Sequence, residues 1–168
     1  MACALAAGAA VIGLAAAGGA GPLLLWNRTA SEPEGLYLRH AGPVTVGALI
    51  AFPAPSAAFP YADGHLAYLR RVPILKHVAA VAGDQVCTAN DRLEINGRVR
   101  ATILLQDRRG VALPRWDGCR RLGDGEVFVF SDRIPNSFDS RYFGPVNRAE
   151  IVGVFRPLAM PLATPGDR

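Results

Sequence analysis

Lys76 is the one lysine in a chain whose other 17 basic residues, of 18 Lys plus Arg in all, are arginine. Where arginine supplies ordinary positive charge, a retained lysine points to a task that arginine cannot do, which is to give up its proton. The neighbours Ile74, Leu75, Val78, Ala79 and Ala80 read as an apolar strand. Burial on such a strand disfavours the ammonium, and a neutral amine near pH 7 needs a fall of about 3 to 4 units, within what full burial supplies. A neutral lysine amine is a general base for a hydroxyl nucleophile. The competing reading is a lone surface lysine kept by chance.

Other chemistries find less support. A histidine-based triad needs an imidazole beside a reactive serine, yet His77 alternates to the face opposite Lys76 on a strand. His40 and His65 fall in turns or short connections. No grouping of His, Cys and carboxylates has metal-ligand spacing, and no phosphate-binding or dinucleotide glycine pattern occurs. The expectation is therefore no metal and no cofactor. The net charge of +4 and pI near 9.3 raise the question of nucleic acid. The arginines are dispersed and interleaved with acids, as at Asp107-Arg108 and Asp132-Arg133, without a basic stripe and stacking aromatics. A mildly cationic surface beside anionic lipid fits better.

The elements that must carry Lys76 read as β structure. Residues 44–46 and 48–52 look like strand, stopped by Pro53 and Pro55. Residues 53–64 form a Pro/Ala-rich loop and 65–71 a short helix. A strand over 74–81 turns at Gly83-Asp84 into another over 85–88. Residues 92–95 and 98–101 flank Asn96-Gly97, a strong hairpin signal. Residues 106–118 form an irregular loop, 126–130 and 151–155 further strands. The chain from Pro157 on frays, with residues 159–168 as a flexible tail. At 168 residues this is a single, mostly β catalytic domain over residues 27–158.

Mean hydropathy is +0.20 and hydrophobic residues make up 51%, an excess concentrated at the N-terminus. Residues 1–26 hold no charged side chain and predict a membrane anchor helix that ends at Trp26 and Asn27, long enough to span a bilayer. A cleaved leader, with a small-residue site near Ala15-Ala16-Ala17, and a buried core helix are the rivals. If the domain lies outside the cytoplasm, Cys87 and Cys119 are candidates for pairing, the third cysteine, Cys3, falling in the apolar helix. Two unrelated thiols remain the alternative.

Three segments in order resemble the bacterial type I signal peptidase family, and within it the conjugative-transfer (TraF-like) branch of serine–lysine peptidases. The first, residues 27–37, carries Ser31-Glu32-Pro33 followed by Gly35-Leu36-Tyr37, similar to the nucleophile box. The second, 75–84, is similar to the strand that delivers the catalytic lysine and ends in Gly83-Asp84. The third, 131–144, contains Ser137-Phe138-Asp139-Ser140-Arg141-Tyr142-Phe143-Gly144, similar to the family's last box. The resemblance implies Ser31 as nucleophile and Lys76 as base. It implies an oxyanion hole from Thr29 and the Ser31 backbone N–H, and Ser137 as the group that orients the lysine. Asp139 and Arg141 become a bracing ion pair. The positions of Cys87 and Cys119 also resemble those of this branch. Ser131-Asp132-Arg133 departs from the usual start of the last box, and Glu32 stands where signal peptidases often have methionine.

The resemblance further implies a protein substrate, a pilin or other precursor cleaved after small residues and held by strand addition at the membrane surface. It implies a bacterial inner-membrane location with the catalytic domain periplasmic, contact with membrane lipid, and no nucleic-acid partner. Some members of the branch join the new ends into a ring. The competing functions are another serine–lysine protease of related β fold, such as a self-cleaving repressor, and a non-catalytic anchored β module of a conjugation or secretion apparatus.

Overall fold

The computed structural model describes residues 21–159. Eleven strands and two short α-helices follow one another: β1 (Leu24–Asn27), β2 (Gly35–His40), β3 (Leu49–Phe52), α1 (Tyr61–His65), β4 (Ile74–Ala80), β5 (Gln85–Ala89), β6 (Arg92–Ile95), β7 (Arg98–Thr102), β8 (Gly118–Arg121), β9 (Glu126–Val129), α2 (Ser140–Phe143), β10 (Val146–Asn147) and β11 (Gly153–Ala159). A seven-stranded sheet runs β1-β2-β11-β3-β4-β9-β10, and a four-stranded sheet runs β7-β6-β5-β8. The expectation of a mostly β domain is met.

β4 lies inside the large sheet between β3 and β9. Its run of β-branched and aliphatic residues suits a strand buried on both faces. Opposite β3, Ile50 faces Lys76 and Phe52 faces Ile74. Ile50, Phe52, Ile74 and Val78 belong to one core cluster with Val127, Val129 and Phe143. Directly opposed residues of an antiparallel pair share a face, so Lys76 projects from the same side as this cluster. Leu49, Ala51 and Leu75 alternate to the other face, where they pack with Leu25, Tyr37 and Phe155. Each such side chain fully removed from water contributes about 1.5–3 kcal/mol.

The small sheet is tied on by a third cluster, in which Val86, Leu93 and Ile95 meet Phe128, Phe130 and Tyr142. The β6–β7 hairpin turns at Asn96 and Gly97, both at positive φ (51° and 74°) as a two-residue primed turn requires. Cys87 of β5 and Cys119 of β8 are directly opposed and joined by a disulfide that closes a 32-residue separation. β8 was not expected from the sequence, because Gly-Cys-Arg-Arg carries little β signal; its pairing with β5 fixes it.

Three sequence expectations need correction. The helix predicted to run to Trp26 does not: Leu24–Asn27 is a strand paired with β2. Burial alternates along it, with Leu25 and Asn27 inward and Trp26 60% exposed, so the apolar run serves a sheet face at this end. Residues 1–20, where the rest of the predicted anchor falls, lie outside the described residues. Among the described residues no helix is long and apolar enough to cross a membrane. Residues 44–46 are not strand; the Ala48 N–H bonds back to the Thr45 carbonyl and the Gly47 N–H reaches Val78. The chain also stays ordered past Pro157, since β11 pairs with β2 as far as Ala159, and residues 160–168 lie outside the described residues.

Candidate active site

The turn between β1 and β2 and the first half of β4 bring two side chains together that are 45 residues apart. Lys76 Nζ donates to Ser31 Oγ at 2.5 Å and to the Leu75 carbonyl at 3.3 Å. Both residues are buried, Ser31 at 5% and Lys76 at 4% exposure. Burial pushes the Lys76 ammonium below its ordinary value of 10.5; Asp139 and Glu32 oppose that fall, and Arg141 adds to it. Two neutral oxygens are the only acceptors of its amine among the described residues. A cation is poorly served there, whereas a neutral amine beside a hydroxyl is well served.

Asn27 builds the turn that carries Ser31. Its amide nitrogen donates to the carbonyls of Thr29, Glu32 and Pro33 at 2.9, 3.0 and 3.0 Å. Its amide oxygen accepts from the Thr29 N–H at 3.1 Å and the Thr29 hydroxyl at 2.8 Å. Tyr37 closes the turn by donating to the Pro33 carbonyl at 2.6 Å. Ser131 donates to the Ser31 carbonyl at 2.5 Å, and Arg133 to the Ala30 carbonyl at 3.0 Å. The segment 131–133 that departs from the family pattern thus holds the serine from the far side. Sequence reasoning missed Asn27, Ser131 and Arg133 as supports. An Asn two residues before a Thr, opening a turn, was the available signal.

Thr29 Oγ1 lies 3.3 Å from Ser31 Oγ. Ser137 lines the same cavity as Ser31 and Lys76, and its buried hydroxyl has no hydrogen-bond partner among the described residues. Asp139 and Arg141 form a two-pronged pair, Nε to Oδ1 at 2.8 Å and Nη2 to Oδ2 at 2.9 Å. Asp139 also caps α2 by accepting from the Arg141 N–H. Of the histidines, His77 points away from Lys76, to Glu32, as strand alternation requires.

Ser31 and Lys76 open onto a cavity of about 800 Å³ whose walls include Leu25, Leu69, Ile74, Leu75 and Phe138. One side is β1, which occupies an edge of the large sheet. The other is the start of β4, where pairing to β9 begins only at Val78. The cleft is apolar, with polar groups concentrated at the serine and lysine.

A buried amine beside a hydroxyl on the wall of an apolar cleft is an arrangement able to activate that hydroxyl. The chain belongs to the family described as "Signal peptidase, peptidase S26", whose model matches residues 3–159. It is 34% identical to the plasmid transfer protein TraF of Escherichia coli over 92% of this chain and 94% of that protein. It is also 34% identical to a conjugal transfer protein TraF of Agrobacterium tumefaciens (strain 15955), over 79% of this chain and 80% of that one. A signal peptidase I from Enterococcus faecalis V583 of known crystal structure overlays with a TM-score of 0.41 at 26% identity, covering 68% of this chain and 98% of the other.

Proposed function

We propose that this chain is a membrane-anchored serine endopeptidase that processes precursor proteins of a conjugation apparatus, a pilin precursor foremost, with Ser31 as nucleophile and Lys76 as base. The observation that carries the reading is the buried Lys76 amine held 2.5 Å from the Ser31 hydroxyl. A non-catalytic module has no need of a desolvated amine there, because an apolar side chain would fill the space at less cost.

The neutral amine takes the Ser31 Oγ proton as Oγ bonds to a substrate carbonyl carbon. The oxyanion that forms is received by the Ser31 N–H and the Thr29 hydroxyl. Thr29 must first turn its hydrogen from Asn27, to which it donates at rest; each such donor is worth about 3–4 kcal/mol in comparable sites. Collapse breaks the C–N bond, and the Lys76 ammonium returns the proton to the leaving amine. The Ser31 ester is then cleared by water, or by a substrate amine that joins the new ends into a ring; Lys76 takes a proton from the attacking group and returns it to Ser31 Oγ as the acyl C–O bond breaks. Ser137, with its hydroxyl unengaged, orients the ammonium when it forms, and Asp139 with Arg141 braces the segment that bears it.

The cleft between β1 and β4 suits an extended substrate segment added as a strand, its small residues seated beside Ser31. The anchor in residues 1–20, the inner-membrane location and the periplasmic face belong to the same reading. The experiment joins two measurements on the full chain. An active-site-directed acylating probe labels Ser31 alone, and mass spectrometry of a pilin precursor co-expressed from the same conjugation cluster shows a cleaved or cyclised product. A folded chain that takes no label at Ser31 and leaves the precursor intact refutes the proposal.

A further inference from the structure

Glu32 and His77 directly follow Ser31 and Lys76 in sequence, and neither has a task in the reaction above. Strand alternation sends His77 to the opposite face of β4 from Lys76. Glu32 turns to meet it, and His77 Nδ1 lies 3.1 Å from both carboxylate oxygens. The same two segments are therefore joined twice, by Ser31–Lys76 on one face and Glu32–His77 on the other. The two contacts line different spaces. Glu32 and His77 border a second cavity of about 370 Å³, with Tyr37, His40 and Arg156. The Glu32 side chain is 4% exposed against 48% for His77, and the carboxylate has no other hydrogen bond among the described residues. A carboxylate so enclosed is costly to leave without its partner, so the contact ties the turn to the strand.

We propose that Glu32 and His77 form a clasp behind the reactive pair, two positioning residues that hold the nucleophile's turn against the base's strand and set the charge felt by Lys76. The proposal rests on the Ser31–Lys76 reading of the site. Lys76 feels Asp139, Glu32 and Arg141; His77 feels Glu32, Asp132 and Lys76. Tyr37 and His40 of β2 and Arg156 of β11 face the pair across the second cavity. The hydrogen bond that His77 donates to the Glu32 carboxylate raises His77 above its ordinary 6.5, against the effect of burial. The charged form of the clasp is thus complete below pH 6.5 and fades as pH rises through the raised value. Glu32 also opposes the burial that lowers Lys76, so removing the carboxylate leaves that burial less opposed.

Because the chain has a single lysine, lysine labelled with ¹³C and ¹⁵N gives one amine signal to titrate by NMR in the full chain, whatever its peptidase activity. In Glu32→Gln the Lys76 midpoint falls by about half a pH unit or more, and His77 returns toward 6.5. A folded Glu32→Gln protein whose Lys76 midpoint stays put or rises overturns the electrostatic part. For the positional part, His77→Ala lowers kcat about tenfold at the plateau pH, with KM almost unchanged because the clasp faces away from the substrate cleft. His77→Gln, which keeps a donor for Glu32, restores most of it. Equal losses in both variants, or a loss carried by KM, overturn the positional part. A wild-type chain without peptidase activity would sink the peptidase reading and the positional part with it, while the lysine titration would still decide the electrostatic part.

Discussion

Replacing Lys76 by methionine separates what burial of the amine costs from what the amine does. Methionine nearly matches its length and brings no proton, and the position stands opposite Ile50, which belongs to a core cluster with Ile74 and Val78. Burial holds the folded-state amine below its ordinary 10.5. Between the folded value and 10.5 the unfolded chain therefore binds more protons than the folded one. Wild-type stability must rise with pH across that window, by about 1.4 kcal/mol per pH unit, and level off above it. Lys76→Met loses this slope. At pH 7 it is the more stable protein by the stability the wild type gains between pH 7 and 10.5, less about 1 kcal/mol for the lost bond to Ser31. Its activity falls by about 10²–10⁴, the usual worth of a general base, and adding Ser31→Ala lowers it no further, because the two act as one unit. Urea unfolding of the full chain in detergent at a series of pH values, beside cleavage of a precursor peptide, reads both. A wild-type stability curve parallel to that of Lys76→Met, or a folded variant that cleaves at near the wild-type rate, would refute the argument.

Serine at both Cys87 and Cys119 should lower stability by about 4 kcal/mol, the chain-entropy value for a 32-residue loop; denaturant melts with and without reductant measure it, and non-reducing peptide mapping of envelope protein should recover the bridged pair. Asp139→Asn leaves the Arg141 guanidinium buried without its counter-charge, so a loss of about 3–5 kcal/mol is expected in the same melts. Asn27→Ala removes five hydrogen bonds from the nucleophile's turn; kcat should drop about tenfold or more with acylation of Ser31 slowed in step, as stopped-flow labelling would read.

β4, the β6–β7 hairpin and β9 were legible in the sequence because their cues are local: an apolar run, an Asn-Gly turn, a bounded strand. β1 was not, because Leu24 and Leu25 continue an uncharged apolar stretch and only the partner strand decides between helix and sheet. β8 was hidden by its adjacent arginines, which are exposed on both faces of the strand and give no alternation to read. At the site, the lysine was legible through composition, since a lone Lys among arginines marks a group whose chemistry differs. The serine was not legible from its own residues; the order of the three boxes supplied it. The supports were the least readable part. Ser131 reaches Ser31 across a separation of 100 residues, and no local pattern reports such a contact.

Among the described residues the interior holds two buried basic side chains and treats them oppositely, which bears on why the chain keeps one lysine. Arg141, 1% exposed, has a carboxylate gripped at two points and the carbonyls of Thr102 and Ser137 at 3.1 and 3.0 Å. A planar, permanently charged fork needs such a set of acceptors, and they are satisfied in full. Lys76, as deeply placed, has a hydroxyl and one carbonyl and no carboxylate within hydrogen-bond reach among the described residues. Burial without a counter-ion is a defect for a structural cation and a requirement for a base that must work near neutral pH. Exchanging the two residue types would spoil both places: arginine beside Ser31 would bring a proton it cannot release, and lysine beside Asp139 would fill only one prong of the fork. Under the proposed mechanism the composition and the packing express one constraint, that charge is held by arginine where the fold is braced and surrendered by lysine beside Ser31.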